Sequence, residues 1–540
     1  MTNPVLIVGA GPVGLTMAAA LHHQGLACRI IDKAPVPSDK SKALAVWCRT
    51  LELLDGLGLA DTFVQTGLKL SGGSMYADGK RLVHLHLTSD ESRYGFPLMV
   101  PQNVTERLLT EHLTRVGVKV ERPVELVSFA EIPDGFRCTL RLGDGGEEVV
   151  ETPWLIGCDG AHSAVRHGLG LEFTGHAEPN DWMLADAQID GPLARDEVSI
   201  FWHDRGVVAF FPIDHSRFRL IADVGPASDS RPAELTLADA QKKLDECGPG
   251  NLTLRDPVWL SYFRINERKV SDYRQGRAFL AGDAAHIHSP AGGQGMNTGM
   301  QDAFNLAWKL ALVETARGKA EPLLQSYSVE RSEVGDQVLK NAERFTTMAT
   351  LRNPVARWMR NHIAPIVGSL DAVQNKIRQT WFELSINYRH SPISGQKWPA
   401  LTGGLHAGDR LCEVALTSHA SGKSTTVFQA IRSSGHKLLL LPGTGASEKL
   451  WQCAAEADRA FPGIFSKHLI LKPGVAVPAT GLPEMPVWID ADGELHKELH
   501  ATSPTLIVVR PDEYIAFRCQ PADPEEMMGF LTSYLVTSAG

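Results

Sequence analysis

Three glycines constrain this chain more than any other feature. Gly9, Gly11 and Gly14 form Gly-x-Gly-x-x-Gly between an apolar strand, Val5–Val8, and a helical stretch, Leu15–His23. A second apolar strand, Cys28–Asp32, then ends on an acid. The first glycine permits a tight turn, the second lets backbone approach a pyrophosphate, and the third lets helix and strand pack closely. The helix start offers free N–H groups and partial positive charge to phosphates. Pro12 and Val13 stand inside the turn and Lys33 follows the acid, so these join Gly9, Gly11, Gly14 and Asp32 as candidate cofactor contacts. A carboxylate at Asp32, about 20 residues on, suits a ribose hydroxyl. The pattern implies a βαβ unit for a dinucleotide, and leaves NAD against FAD open.

At 540 residues the chain exceeds one hydrophobic core and suggests about three units. With 43% hydrophobic and 21% charged residues it has the balance of a globular protein. A formal charge of −9 argues against nucleic acid or anionic lipid as partner. The eight cysteines stand singly, without Cys-x-x-Cys or metal-like spacing, as in a reduced cytoplasmic protein. No signal-like start and no run of about 20 apolar residues points to secretion or a membrane. Short alternating segments at 68–87 and 198–224 read as antiparallel strands of an inserted sheet, and helical spacing runs from Met300 to Phe345, with helices to about Tyr388. A Ser/Pro/Gly-rich stretch, 390–406, marks a boundary near 395.

Two further segments carry a specific resemblance. Trp154-Leu-Ile-Gly-Cys-Asp159-Gly160-Ala-His-Ser163-Ala-Val-Arg166 resembles the Asp-Gly motif of the class A FAD-dependent aromatic-ring monooxygenases. Gly276-Arg-Ala-Phe-Leu-Ala-Gly282-Asp283-Ala-Ala-His286-Ile-His-Ser-Pro290-Ala-Gly-Gly293-Gln-Gly295-Met-Asn297 resembles their Gly-Asp motif. The order and spacing of all three motifs match that family over residues 1–395, and some members add a C-terminal domain. The resemblance implies an α/β, Rossmann-like FAD-binding fold of the p-hydroxybenzoate hydroxylase type, with an inserted antiparallel substrate sheet. It divides the chain into 1–175 for FAD (with strands at 68–100), 176–270 for substrate, 271–395 completing the FAD region, and 396–540 as a thioredoxin-like domain without redox cysteines.

The same resemblance implies site roles. Gly282 and Asp283 bind the ribitol or pyrophosphate region of FAD, and Asp159 and Gly160 lie beside the cofactor. Pro290, Gly293, Gly295, Met296 and Asn297 form the loop against the flavin ring, where backbone N–H groups can stabilise negative charge on reduced flavin. Arg166 holds the local fold. Ser41-Lys42-Ala43 and Arg49-Thr-Leu-Glu52 resemble the family's Arg-Ala and Arg-Thr-Leu-Glu stretch, with Lys42 in place of an arginine, and Gln102 with Arg107 resembles a family helix start that contacts FAD. One glycine fingerprint and no second nucleotide fold fit NADH or NADPH as a transient co-substrate. The resemblance implies that hydride then reaches the flavin, that O₂ adds to form a C4a-hydroperoxide, and that its distal oxygen goes to an electron-rich ring carbon in a dry pocket.

Substrate contacts are sought in Phe201-Trp-His203, Phe210-Phe-Pro212 and Trp259-Leu-Ser-Tyr262-Phe-Arg264. Phenol hydroxylase-like members carry a tyrosine near Phe263 and an aspartate near Leu44; this chain has neither, so His203, Tyr262 and Arg264 are the candidate catalytic side chains. The loss fits a substrate needing no enzyme base, such as an ionised phenol or a polycyclic polyketide. Epoxidation and oxidative decarboxylation are the alternative reactions. In the last segment Ser503-Pro504-Thr505-Leu506 resembles a thioredoxin-type cis-proline loop; Cys453 and Cys519 are isolated, so the expected work is packing, with a homodimer as candidate assembly.

Overall fold

The computed structural model describes residues 4–538 except 78, 229–233, 291, 350, 352, 369, 399–402, 444–446 and 478–484. At its centre is a mixed, largely parallel six-stranded sheet, ordered Arg274–Gln275, Ala278–Leu280, Leu155–Gly157, Val5–Val8, Cys28–Ile31 and Val120–Glu121. Val5–Val8 pairs in parallel with both Cys28–Ile31 and Leu155–Gly157, and the latter pairs in parallel with Ala278–Leu280. All three strands that carry the motifs are buried on both faces, hence their unbroken apolar runs. Their carboxyl ends lie side by side, so the turns at Gly9, Asp159 and Gly282 meet along one edge. That edge is where open parallel sheets bind ligands.

Helices cover this sheet. Pro12–His23 starts with proline at a position where the missing N–H costs nothing, and packs along Gly295–Glu314. The helical run from Met300 breaks after Glu314, where Ala316 takes φ 55° and a Cβ on Gly318 would lie 2.3 Å from Leu323 Cδ1. It resumes as Ala320–Ala349, followed by Pro354–Gly368 and Asp371–Trp381.

The segments at 72–86 and 174–287, separated in the chain, join in one eight-stranded sheet. Its order is His286–Ile287, Thr253–Lys269, Thr174–Asp190, Arg217–Pro226, Gly206–Pro212, Glu197–His203, Gly72–Ala77 and Lys80–His86. Pairing is antiparallel except between Glu197–His203 and Gly72–Ala77. One face packs Met183, Ala185, Phe210, Phe218 and Leu220 under the helix Leu237–Cys247. The other face presents Trp182, Trp202, Val207 and Ile265 toward the parallel sheet.

The last segment forms a second eight-stranded sheet, in which His436–Leu441 pairs in parallel with Phe465–Leu471 and antiparallel with Thr505–Val509. Its strands include His436–Leu441, buried throughout, and the short Val487–Ile489. The Ser503–Pro504 bond, expected to be cis, is trans, the isomer favoured by about 0.5–1 kcal/mol. Pro504 O accepts the Ala522 N–H at 2.8 Å in that geometry. Cys453 and Cys519 are buried free thiols, pushed up by burial to about 12 and about 11. Among the described residues, no helix is long and apolar enough to cross a membrane.

This unit is tied to the rest by buried charges. Arg510 donates to Glu330 at 2.7 and 2.9 Å and to Asp512 at 2.9 and 2.6 Å, while Lys309 donates to Glu330 at 2.8 Å; none of these side chains is more than 3% exposed. Arg410 forks onto Glu52 from the other side.

Candidate active site

A single cavity of about 610 Å³ runs from the glycine turn, past the Gly282–Asp283 turn and the start of the helix Gly295–Glu314, to the apolar face of the eight-stranded sheet built from 72–86 and 174–287. Gly9, Gly11, Pro12, Val13, Asp32, Lys33, Lys42, Gln102, Asp159, Gly160, Asp283, Pro290, Gly293, Gly295 and Met296 all line it. Segments almost 290 residues apart thus share one wall because the parallel strands put their ends together.

The glycine turn is built for close approach. Gly9 has φ +102°, and a Cβ there would stand 2.4 Å from Cys158 O; one on Gly14 would stand 1.9 Å from Gly9 O. Gly11 differs: a Cβ there would meet nothing within 4 Å, because it would project into the cavity. Asp32 holds the turn, its Oδ2 accepting the Ala10 N–H at 2.7 Å and its Oδ1 the Ala34 N–H at 2.8 Å and Arg122 at 3.1 Å. One lone-pair site on Oδ2 is left for a ligand hydroxyl.

The second turn is held from beneath. Gly282, at φ +59°, donates its N–H to Asp302 Oδ2 at 2.9 Å, and the same oxygen meets His286 Nε2 at 2.9 Å. Arg331 Nε donates to Asp302 Oδ1 at 2.6 Å, its Nη2 to Thr298 O and its Nη1 to the Tyr388 hydroxyl, both at 2.9 Å. Although burial alone would raise it, Arg331 and His286 hold the Asp302 carboxyl below its ordinary range. Asp283 projects the other way into the cavity, surrounded by enough protein that desolvation raises its pKa. Asp159 likewise is raised by burial; its Oδ2 accepts the Ala164 and Val165 N–H groups, while its Oδ1 has no partner.

At the third segment Ala291 lies outside the described residues. The helix beginning at Gly295 has no side-chain cap, because the preceding Gln294 donates its amide to Thr380 O instead. Its first N–H groups therefore stand uncapped where Gly295 and Met296 border the cavity. Asn297 is fully buried: its Oδ1 accepts the Trp47 N–H at 2.8 Å and its Nδ2 donates to Ala45 O and Gly293 O. It fixes the loop and does not line the cavity. His288 does line it; burial brings the ring down to about 4, so it is neutral, and its Nδ1 lies 2.8 Å from Ser289 O.

Lys42 lines the cavity on a loop that Gln102 and Arg219 hold. Gln102 N–H donates to Ser41 Oγ and Ala43 O, and Gln102 Oε1 accepts the Ala43 N–H. Arg219 forks onto Asp186 at 2.8 and 2.7 Å and donates to Lys42 O and Ser41 O.

Several sequence candidates lie elsewhere. Arg49 is buried against Glu52 and Glu513 and donates to Asp512 O, joining the N- and C-terminal parts of the chain. Arg107 is a solvated helix charge paired with Glu111, each side chain 53% exposed. His203, Tyr262 and Arg264 are on the wrong strand parity: Val198, Ile200, Trp202 and, across the sheet, Ile265 point into the cavity, so their odd or even neighbours point away. His203 meets Asp204 at 2.6 Å, and Arg264 donates to Asp181 at 2.9 Å. Gly14 and Gly282 act beneath the surface through packing. Trp202 and Phe211, sought from the sequence, line the cavity, whereas sequence reasoning missed Arg219, His288 and the wall of Val207, Ala209 and Ile221. Parity within Val198–Val224 is the signal that would have found that wall.

The residues present fit FAD: the space at Gly11 suits a pyrophosphate, the uncapped helix suits negative charge, and the polar half of the cavity continues into an apolar half. A family profile described as an FAD binding domain matches residues 2–342. The chain is 35% identical over 531 residues to 6-methylpretetramide 4-monooxygenase of Streptomyces rimosus, covering 96% of this chain and 90% of that one. It is 32% identical to pentachlorophenol 4-monooxygenase of Sphingobium chlorophenolicum, covering 95% and 93%. Among solved structures, anhydrotetracycline hydroxylase from Streptomyces rimosus superposes with a TM-score of 0.76 at 28% identity, covering 99% of both chains.

Proposed function

The chain belongs to the family of FAD-dependent aromatic-ring monooxygenases, and from that premise we propose that it hydroxylates a phenolic ring held against the apolar half of the cavity, with reduced nicotinamide and O₂ as co-substrates. The observation that carries the reading is the continuity of one cavity from Gly11, through the uncapped start of Gly295–Glu314, to Trp202, Val207 and Ala209. When bound, FAD takes hydride from the nicotinamide and activates O₂ for transfer to an electron-rich carbon. Everything else falls to the protein.

Gly9, Gly11 and Gly14 let the backbone approach the pyrophosphate, Asp32 accepts a ribose hydroxyl, and Lys33 and Lys42 balance the phosphate charge. Gln102 shapes the Lys42 loop, and Asp159, Gly160 and Asp283 contact the ribitol side. The N–H groups of Gly295 and Met296 favour negative charge at the cavity floor by about 1–2 kcal/mol. Trp182, Ile200, Trp202, Phe211 and Ile265 keep that region dry.

Among the described residues, the sheet side of the cavity presents one ionisable side chain, Arg219, and it is already engaged by Asp186 and the Ser41–Lys42 carbonyls. The protein therefore takes a phenol that ionises without a sheet-borne base. Acidic polycyclic phenols meet that need, and relatives covering most of the chain act on such rings by name, 6-methylpretetramide and anhydrotetracycline. We read the parallel unit as Rossmann-like, with the divisions 1–175, 176–270 and 271–395, and 396–540 as a thioredoxin-like unit lacking redox chemistry, used for packing.

The test is to incubate the FAD-loaded protein with NADH or NADPH and ¹⁸O₂ against monocyclic phenols and polycyclic hydroxyarenes. One ¹⁸O per product, on a ring carbon, is expected. Label-free products, decarboxylation or an alkene oxide as the sole product would overturn the reading.

A further inference from the structure

The far end of the substrate-side sheet carries a second cluster that the oxygenase reading does not use. His176 and Glu267 are directly opposed across the antiparallel pair Thr174–Asp190 and Thr253–Lys269. Glu178 follows His176 by two residues, where alternation returns a side chain to the same face, and the register breaks between Ala177 and Asp181. Three ligand-type side chains therefore share one face. Their ligand atoms lie within 4.8 Å of one another, and His176 Nε2 is 3.7 Å from Glu178 Oε1. Two ligands about 2.1 Å from a tetrahedral ion stand about 3.4 Å apart, and the His176 side chain, 59% exposed, has room to turn toward the carboxylates.

A second observation points to something missing. Glu267 is only 5% exposed, and its Oε1 is buried without a hydrogen-bond partner. Among the described residues neither Glu267 nor Glu178 pairs with lysine or arginine. Buried carboxylates without a cationic partner are costly, and a metal ion is one of the usual ways they are satisfied. We propose that His176, Glu178 and Glu267 bind one divalent first-row transition ion. One imidazole and two carboxylates are the donor set of zinc or manganese sites that leave coordination positions to water. Arg268, next to Glu267, pairs with Ile287, which lines the main cavity, so the cluster sits beside the strand that leads to Pro290.

The FAD-loaded protein, stripped with chelator, is titrated with Zn²⁺ by calorimetry and with Co²⁺ by its visible d–d absorption, in the wild type, H176A and E267Q. Binding of one equivalent with micromolar affinity is expected, weakened by more than about 100-fold in each variant, since loss of even an outer-shell partner costs 10–100-fold. H176A changes an exposed side chain, and circular dichroism checks its fold. Absence of saturable binding, or undiminished affinity in either variant, overturns the proposal.

Discussion

Gly11→Ala separates the cofactor site from the fold. Gly11 sits at φ −77° and ψ −174°, open to any residue, and a Cβ there would touch nothing within 4 Å. Without ligand the substitution has no clash to relieve, and by restricting the unfolded chain it can add about 0.4–1 kcal/mol of stability. With ligand, the methyl stands where the backbone must meet the pyrophosphate. Losing one charge-assisted hydrogen bond costs about 1.5–3 kcal/mol, which is about a 10- to 100-fold weaker Kd for FAD. Gly14→Ala is the contrast: its Cβ would lie 1.9 Å from Gly9 O, so strand and helix must separate and the apoprotein itself should be destabilised by about 1–3 kcal/mol or more. Thermal unfolding of both apoproteins and FAD titration by fluorescence read the two effects. If Gly11→Ala binds FAD as the wild type does, or unfolds earlier without FAD, the pyrophosphate does not lie along this turn.

Ala209 lines the apolar wall opposite the cofactor half; Ala209→Phe should raise KM for a polycyclic substrate at least tenfold while the FAD Kd stays unchanged, and a parallel loss of FAD would contradict the division of the cavity. Burial pushes the Glu383 carboxyl up to about 8, where it accepts from Gln301 and Thr298. The native state then keeps a proton that the unfolded chain releases near pH 4.5, so this group costs stability increasingly as pH rises from about 4.5 to 8. Glu383→Gln should therefore gain in Tm relative to wild type between pH 5 and pH 8.5, and a constant difference across that range would refute the assignment. Glu330 has the opposite sign: burial alone would raise it, but Arg510 and Lys309 hold it far below the usual range, so its contribution is present at neutral pH and is lost as pH falls below about 4.5. Glu330→Ala leaves Arg510 and Lys309 buried without it and should cost about 3–5 kcal/mol at pH 7, read by urea unfolding; a loss under 1 kcal/mol would show that the lock is not formed.

The sequence by itself determined the local units whose cause is local. Gly9, Gly11, Gly14 and Asp32 announce a strand, turn, helix and strand because each acts within a few residues of its neighbours. The same holds for the Asp159 and Asp283 turns and for strands such as His436–Leu441, whose apolar runs reflect burial on both faces. Which face of an antiparallel strand looks at the ligand was readable only as a two-residue alternation without a sign. The pairing of Ile200 with Ala209, and of Ala209 with Ile221, gives that sign and turns His203 away. Tyr262 and Arg264 fall on the outer face for the same reason.

Tertiary structure alone decided the long-range charge partners. Arg49 lies in a stretch whose resemblance implied a place near the cofactor, yet its guanidinium is committed to Glu513 and Asp512, more than 460 positions away. No local pattern encodes that choice, because a buried cation takes whichever carboxylates the packing of distant segments brings within hydrogen-bond reach. Asp302 is hidden for the same reason: in sequence it is one acid on a long helix. In the fold it is the support beneath Gly282, fixed there because Arg331 and His286 arrive from two other segments. Local chemistry wrote the turns into the chain, and desolvation together with strand register chose which side chains stand at the cavity.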